Sequence, residues 1–180
     1  MSTVDGTSLE PAVVEAAERL RHARTTNRPC PPIRDLIGVG EVAAAYAVQR
    51  HVTALAAISG AKEVGRKLGM MSPAVQEQLG VNQPTIGTLM DHMQVDHGGV
   101  VPLRWLLQPL IEAEIAFLLV DDLDAPDVDA ARARAAVGEI YAALEIVDSR
   151  IADWNISAVD TIADNASSGF FVLAPQGAAL

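Results

Sequence analysis

The stretch PLIEAEIAFLLVDDL, residues 109 to 123, constrains the fold most. It reads as a strand, in which residues i and i+2 share a face. Glu112 and Glu114 therefore project together, while Ile111, Ala113, Ile115 and Phe117 fill the opposite face. Beyond the glutamates their own face turns apolar again through Ala116, Leu118 and Val120. A run of this kind is expected inside a protein, where two like charges suffer desolvation and mutual repulsion. Arginine partners would relieve the strain, with Arg104 and Arg150 available, as would a shared proton, a metal ion or a solvated sheet face.

A third carboxylate shifts the balance. Glu145 lies within the apolar segment AALEIVDSR rather than on a polar face. Three carboxylates with no Cys or His at ligand spacing describe a site for a hard cation, Mg2+ or Mn2+, with positions left open for water or substrate. His92 and His97, five apart in an expected loop, have a poor spacing for zinc, and His51 reads as a surface or packing histidine on a helix. Cys30 has no charged neighbour that would activate it and reads as a buried or idle thiol.

Helical periodicity dominates the start of the chain. LEPAVVEAAERLRHAR predicts an amphipathic helix from Leu9 to about Arg24, with Ser8 as cap and Pro11 in the first turn. An extended, proline-rich connector, TTNRPCPPIRDL, precedes a second helix that ends at Gly60. Residues 1–60 are thus expected to form an N-terminal helical region, and residues 61–180 a β domain. In the latter, KEVGRKLGM predicts a strand that meets a functional surface. SPAVQEQLG predicts a short helix with Ser72 as cap, Pro73 at its first position and Gly80 at its end. VNQPTIGTLMDHMQVDHGGVVPL reads as loop-rich, with one short strand and a mobile stretch. After the acidic turn DDLDAPDVDA comes a helix capped by Asp127 or Asp129. EIYAALEIVDSRI is then a second apolar strand, or a helix end running into one. ADWNISAVDTIADNASSGFFVL reads as a polar helix or loop leading to a last strand.

The totals exclude several function classes. A net charge of −10 argues against nucleic-acid and anionic-membrane partners, which demand basic surfaces. No apolar run approaches the roughly 20 residues that span a bilayer. The acidic N-terminus is unlike a secretory signal, and a single cysteine allows no intrachain disulfide, so a reducing cytoplasm is the expected compartment. GVGEVAAA follows no strand and lacks the third glycine of a phosphate-binding turn, and no nucleophile elbow surrounds the serines of NASSG. Ser167 is expected to serve as a hydrogen-bond donor. Only two of the 13 basic residues are lysines, Lys62 and Lys67, both in one short segment.

Five ordered stretches, VGRKLGMMSPAVQEQLGVNQP, GTLMDHM, LQPLIEAEIAFLL, ALEIVDSRIADW and DTIADNASSG, closely resemble the 2-keto-4-pentenoate hydratases. With the related 4-oxalocrotonate decarboxylases, these belong to the fumarylacetoacetate hydrolase superfamily. The resemblance runs from about Ile33 to Phe171. It implies an α+β fold, a helical N-terminal region followed by a mixed β roll, here incomplete, and a homo-oligomer that could also associate with related pathway enzymes. It implies hydration of 2-hydroxypenta-2,4-dienoate to 4-hydroxy-2-oxopentanoate in the meta-cleavage degradation of aromatic compounds. The alternatives are decarboxylation of a vinylogous 2-oxo diacid and an inactive partner subunit. The family's E-x-E falls on Glu112 and Glu114, its third metal ligand on Glu145, its active-site lysine on Lys67 and its NAS serine on Ser167. The resemblance thus implies Mg2+ or Mn2+ as cofactor, with Lys67 relaying protons or steadying an enolate and Thr85 joining Lys67 and Ser167 around the substrate. This chain departs from the family pattern at three positions. Thr85 and Asn82 stand where aspartates are common, and Leu110 where a basic residue often stands. Relatives also continue past the NASSG strand, through a segment that completes the roll.

Overall fold

The computed structural model describes residues 10–79 and 81–180, together with the backbone of a short antiparallel pair, β1 (Thr3–Val4) and β2 (Thr7–Ser8). Leu9, the Ser8 side chain and Gly80, assigned above to helix ends, lie outside the described residues.

Helix α1 (Pro11–Thr26) starts with proline, whose missing N–H costs nothing in the first turn. It buries Val13, Ala16, Ala17, Leu20 and Ala23, a stripe at helical spacing. Asn27 ends the helix in the left-handed region, φ 53°. The connector is extended only in part. Cys30 makes an isolated parallel bridge to Ile151, but the segment closes with one helical turn, α2 (Arg34–Ile37). A distant side chain explains that turn, because Asp160 Oδ1 accepts from the amides of Ile33 at 2.9 Å and Arg34 at 3.0 Å. Helix α3 (Val42–Ile58) follows and stops two residues before Gly60, φ +100°.

β3 (Glu63–Gly69) pairs antiparallel with β4 (Thr85–Met90) across α4 (Pro73–Leu79), whose Ser72 Oγ accepts from Val75 N at 3.4 Å. The loop-rich region between β4 and the opening segment holds one further short strand, β5 (Gln94–Val95). The opening segment forms β6 (Pro109–Leu119). Then come α5 (Ala130–Ala135), capped by Asp129 through Arg132 N at 2.7 Å, and β7 (Val137–Asp148), a strand over its whole length. The chain closes with α6 (Ala158–Ala163), β8 (Ser168–Leu173) and β9 (Ala178–Ala179). The main sheet runs β5-β8-β7-β6, with β5 parallel to β8, the other neighbours antiparallel, and β9 pairing β7. This mixed sheet with helices agrees with the expected α+β class.

The hydrophobic core lies among the helices. Val13, Leu20, Ile37, Val48, Val159 and Ile162, from α1, α2, α3 and α6, form one buried cluster with Ile33 and Ile151 beside them. Strand β6 is different, and here the expectation of an interior strand fails. Ile111 is 71% exposed and Ile115 64%, with Phe117 and Leu118 exposed on opposite faces. β6 ends the sheet order, and among the described residues no layer covers either face, so alternation without a partner layer does not produce burial.

Candidate active site

The ladder between β6 and β7 sets Glu112 directly opposite Glu145, with Glu114 one side-chain step along the same face. One oxygen from each of the three carboxylates lies within 4.8 Å of the others. Oxygens bound to one Mg2+ at about 2.1 Å are at most about 4.2 Å apart, so side-chain adjustments of under about an ångström would close this set on one ion. Glu112 and Glu114 are exposed and Glu145 is buried. Burial pushes the Glu145 carboxyl above its ordinary range; Lys67 opposes that, and the charges of Glu112 and Glu114 add to it.

Lys67 reaches this cluster from the other sheet. Its Nζ donates to Glu145 Oε1 at 2.6 Å and to the carbonyl of Ala166 at 2.9 Å, with both charged side chains about nine-tenths buried. The simple alternative for Lys67, a surface pair with Glu63, does not hold, because Glu63 pairs with Arg66. Arg104 and Arg150 do not serve the glutamates either. Arg104 lies over the Trp105 ring, and Arg150 is buried against Asp164, donating its backbone amide to Asp164 Oδ2 at 2.9 Å.

The NAS turn joins the two sheets. Asn165, Ala166 and Ser167 all have φ near +54° (54°, 53° and 54°), a strained run for residues with a Cβ. A clamp holds it, in which Asn165 Oδ1 accepts from Thr88 N at 2.7 Å and Asn165 Nδ2 donates to Thr88 O at 2.8 Å. Gly87, opposite Lys67 in the β3–β4 ladder, makes room for the turn. A Cβ there would stand 2.8 Å from Asn165 O and 2.9 Å from Lys67 Cγ. Asn165 and Gly87 escaped the reading of individual residues, although the quoted NASSG and GTLMDHM stretches contain them.

Thr85, paired with Gly69, shares the Lys67 face of that ladder. It also lines a cavity of about 120 Å³ with Asn82, Tyr46 and Ile162, which none of the carboxylates reaches. Thr85 Oγ1 and Ser167 Oγ are buried without a hydrogen-bond partner among the described residues; the only other such side-chain atom is His51 Nδ1. Ser167 is therefore not engaged as a donor, and two of the three unmatched polar atoms belong to the residues assigned above to substrate. Leu110, 54% exposed, shares the carboxylate face. His92, His97 and Cys30 join no cluster of metal-ligating residues among those described. The Cys30 thiol is buried and donates to Arg150 O at 3.3 Å, and burial pushes its pKa up to about 11. Among the described residues no helix is long and apolar enough to cross a membrane.

No protein-family model matches the chain. It is 46% identical over 162 residues to a 2-keto-4-pentenoate hydratase of Burkholderia vietnamiensis, a match covering 90% of this chain and 62% of the relative. It is 41% identical over 161 residues to a 2-hydroxyhexa-2,4-dienoate hydratase of Comamonas testosteroni, covering 88% of this chain and 61% of that protein. Among solved structures, 4-oxalocrotonate decarboxylase of Pseudomonas putida G7 complexed with magnesium and adipate superposes with a TM-score of 0.90 at 31% identity. That superposition covers 96% of this chain and 66% of the other. The same enzyme complexed with calcium and acetate gives a TM-score of 0.88. The chain spans about three fifths of the length of the curated relatives it matches. Within that span, its sequence is similar to those of the 2-keto-4-pentenoate hydratases.

Proposed function

We propose that this chain carries the cation site and the proton-transfer lysine of a hydratase that adds water to 2-hydroxypenta-2,4-dienoate, giving 4-hydroxy-2-oxopentanoate. The observation that carries the reading is the convergence of Glu112, Glu114 and Glu145 with Lys67 bonded to one of them. Identity to hydratases at 46%, against 31% to the decarboxylase, favours hydration over loss of carbon dioxide.

The donor set, three carboxylates and no sulfur or imidazole, suits Mg2+ or Mn2+. Bound there, such an ion would supply Lewis acidity toward the substrate's carboxylate and 2-oxygen. The net change is simple. The 2-hydroxyl loses its proton as C5 gains one, water oxygen then bonds to C4, and C3 takes the last proton. Lys67 Nζ carries protons in this scheme, since its ammonium is held at the edge of the cluster by Glu145 and the Ala166 carbonyl. Thr85 Oγ1 and Ser167 Oγ, buried and unmatched, orient the substrate by hydrogen bonds that cost no protein partner. In the same reading the protein is a cytoplasmic homo-oligomer, working beside related enzymes of aromatic degradation.

The test is loss of the dienoate's ultraviolet absorbance with Mg2+ or Mn2+, together with analysis of the product. No turnover with either ion in a folded sample refutes an active hydratase. Release of carbon dioxide from an oxo diacid in place of hydration moves the assignment to the decarboxylase.

A further inference from the structure

A second cavity, of about 270 Å³, lies between α1, α3 and the end of β4, and none of the three glutamates lines it. Its walls are largely apolar, with Leu20, Val52, Leu55 and Met93 among them, and Asn165 and Ser168 from the turn contribute polar groups. Three arginines line it. Arg21 is paired with Glu18 at 2.7 Å, and Arg150 is locked to Asp164. Arg24 makes no ion pair or side-chain hydrogen bond among the described residues, although the charges of Asp164 and Asp148 act on it from a distance.

Desolvation lowers the Arg24 pKa, with the Arg150 charge adding to it, although Asp164 and Asp148 pull the other way. His92, on the same wall, is lowered by burial and then by Arg24, while Asp91 opposes. The Arg24 guanidinium, with no side-chain partner in contact, is left for a ligand in the cavity to engage.

We propose that this cavity is a binding site for a small monocarboxylate with an apolar body, distinct from the carboxylate cluster. The planar fork of Arg24 takes the carboxylate and the aliphatic walls take the body. The site touches the catalytic side through Asn165, whose amide clamps Thr88 on the far side of the turn.

Benzoate is the probe, titrated calorimetrically into the whole chain with EDTA present, so that the cation cluster plays no part. One equivalent is expected to bind at millimolar concentration, with the neutral isostere benzamide much weaker. Arg24→Gln should weaken benzoate about 10- to 100-fold, the worth of a charged hydrogen-bonded pair. Glu114→Gln should leave it unchanged. The ring-proton resonance of His92 in the unaltered protein reads occupancy independently of any substitution, and it should shift in proportion to the bound fraction. The proposal is overturned if benzoate does not bind, if Arg24→Gln binds it as well as the parent, or if binding leaves His92 unmoved.

Discussion

Removing Lys67 should make the protein bind its cation more tightly while abolishing turnover. Lys67 Nζ and Glu145 Oε1 are 2.6 Å apart, and both side chains are largely out of solvent at 11% and 8% exposure. A divalent ion that takes Glu145 as a ligand must displace this bond. Hydrogen bonds between charged groups are worth about 1.5–3 kcal/mol net, so the displacement costs about 10- to 100-fold in affinity. In Lys67→Met nothing has to be displaced. The metal-free state also keeps a buried carboxylate without its partner, which raises its free energy and drives binding in the same direction. Calorimetric titration with Mn2+ or Mg2+ at fixed pH should therefore give a dissociation constant about 10- to 100-fold lower than the parent's. Arg66→Met is the control. It removes an equal charge from the same strand, but from an exposed pair with Glu63 at 54% and 49% exposure, so the affinity should change by less than about fivefold. If Lys67→Met binds the ion no better than the parent, or worse, the lysine does not compete for Glu145 and the argument fails.

Glu114→Gln should weaken the ion at least about tenfold, because a carbonyl oxygen replaces an anionic ligand, and the same titration reads it. Asp160→Asn should destabilise the protein by about 3 kcal/mol and lower its melting temperature by about 6–12 °C, since Asp160 is fully buried among Arg34, the Ser157 hydroxyl and three backbone amides. Burial raises the Asp160 pKa, but the bonds from Ser157 and Arg34 outweigh it and leave it below the ordinary range. Its contribution is therefore complete above the unfolded value of about 3.9 and disappears as pH falls through the lower folded value, so chemical denaturation at stepped acidic pH should lose it only there. Cys30, with its pKa at about 11, should resist a thiol reagent at pH 8 until urea unfolds the chain. Ile111→Lys with Ile115→Lys, on the β6 face away from the glutamates, should suppress concentration-dependent association in sedimentation velocity without altering cation affinity.

The parts of the structure legible in the sequence were those fixed by local periodicity. The 3.6-residue stripe of Val13, Ala16, Ala17, Leu20 and Ala23 predicts α1, and the i, i+2 spacing of Glu112 and Glu114 puts both carboxylates on one face. What local pattern could not carry was any contact set by distant partners. Lys67 and Glu145 are 78 positions apart, and nothing in GRKLG distinguishes a lysine aimed at Glu145 from one paired with Glu63. Likewise Arg150, one candidate partner for the glutamates, is claimed by Asp164 through a backbone turn that α6 positions. The left-handed NAS turn holds no glycine, so its conformation is imposed by the clamp to Thr88 rather than announced by residue type.

The exposed apolar strand and the half-exposed cation cluster share one physical cause. β6 has the sequence of a strand buried on both faces, yet it is the sheet's edge, with Ile111, Ile115 and Phe117 open on one side and Leu110 and Leu118 on the other. The cluster inherits that asymmetry. Glu145, on the inner strand β7, is buried against Lys67, while Glu112 and Glu114, on the edge strand, face solvent. Charges in water attract a cation far less than charges in a dry site, roughly in the ratio of the effective dielectric constants. Anything that covers the carboxylate face of β6, whether a second copy or another polypeptide, would therefore bury apolar surface and strengthen the cation site in one step. Cation affinity and association through this face should then be thermodynamically linked, each raising the other by the same factor.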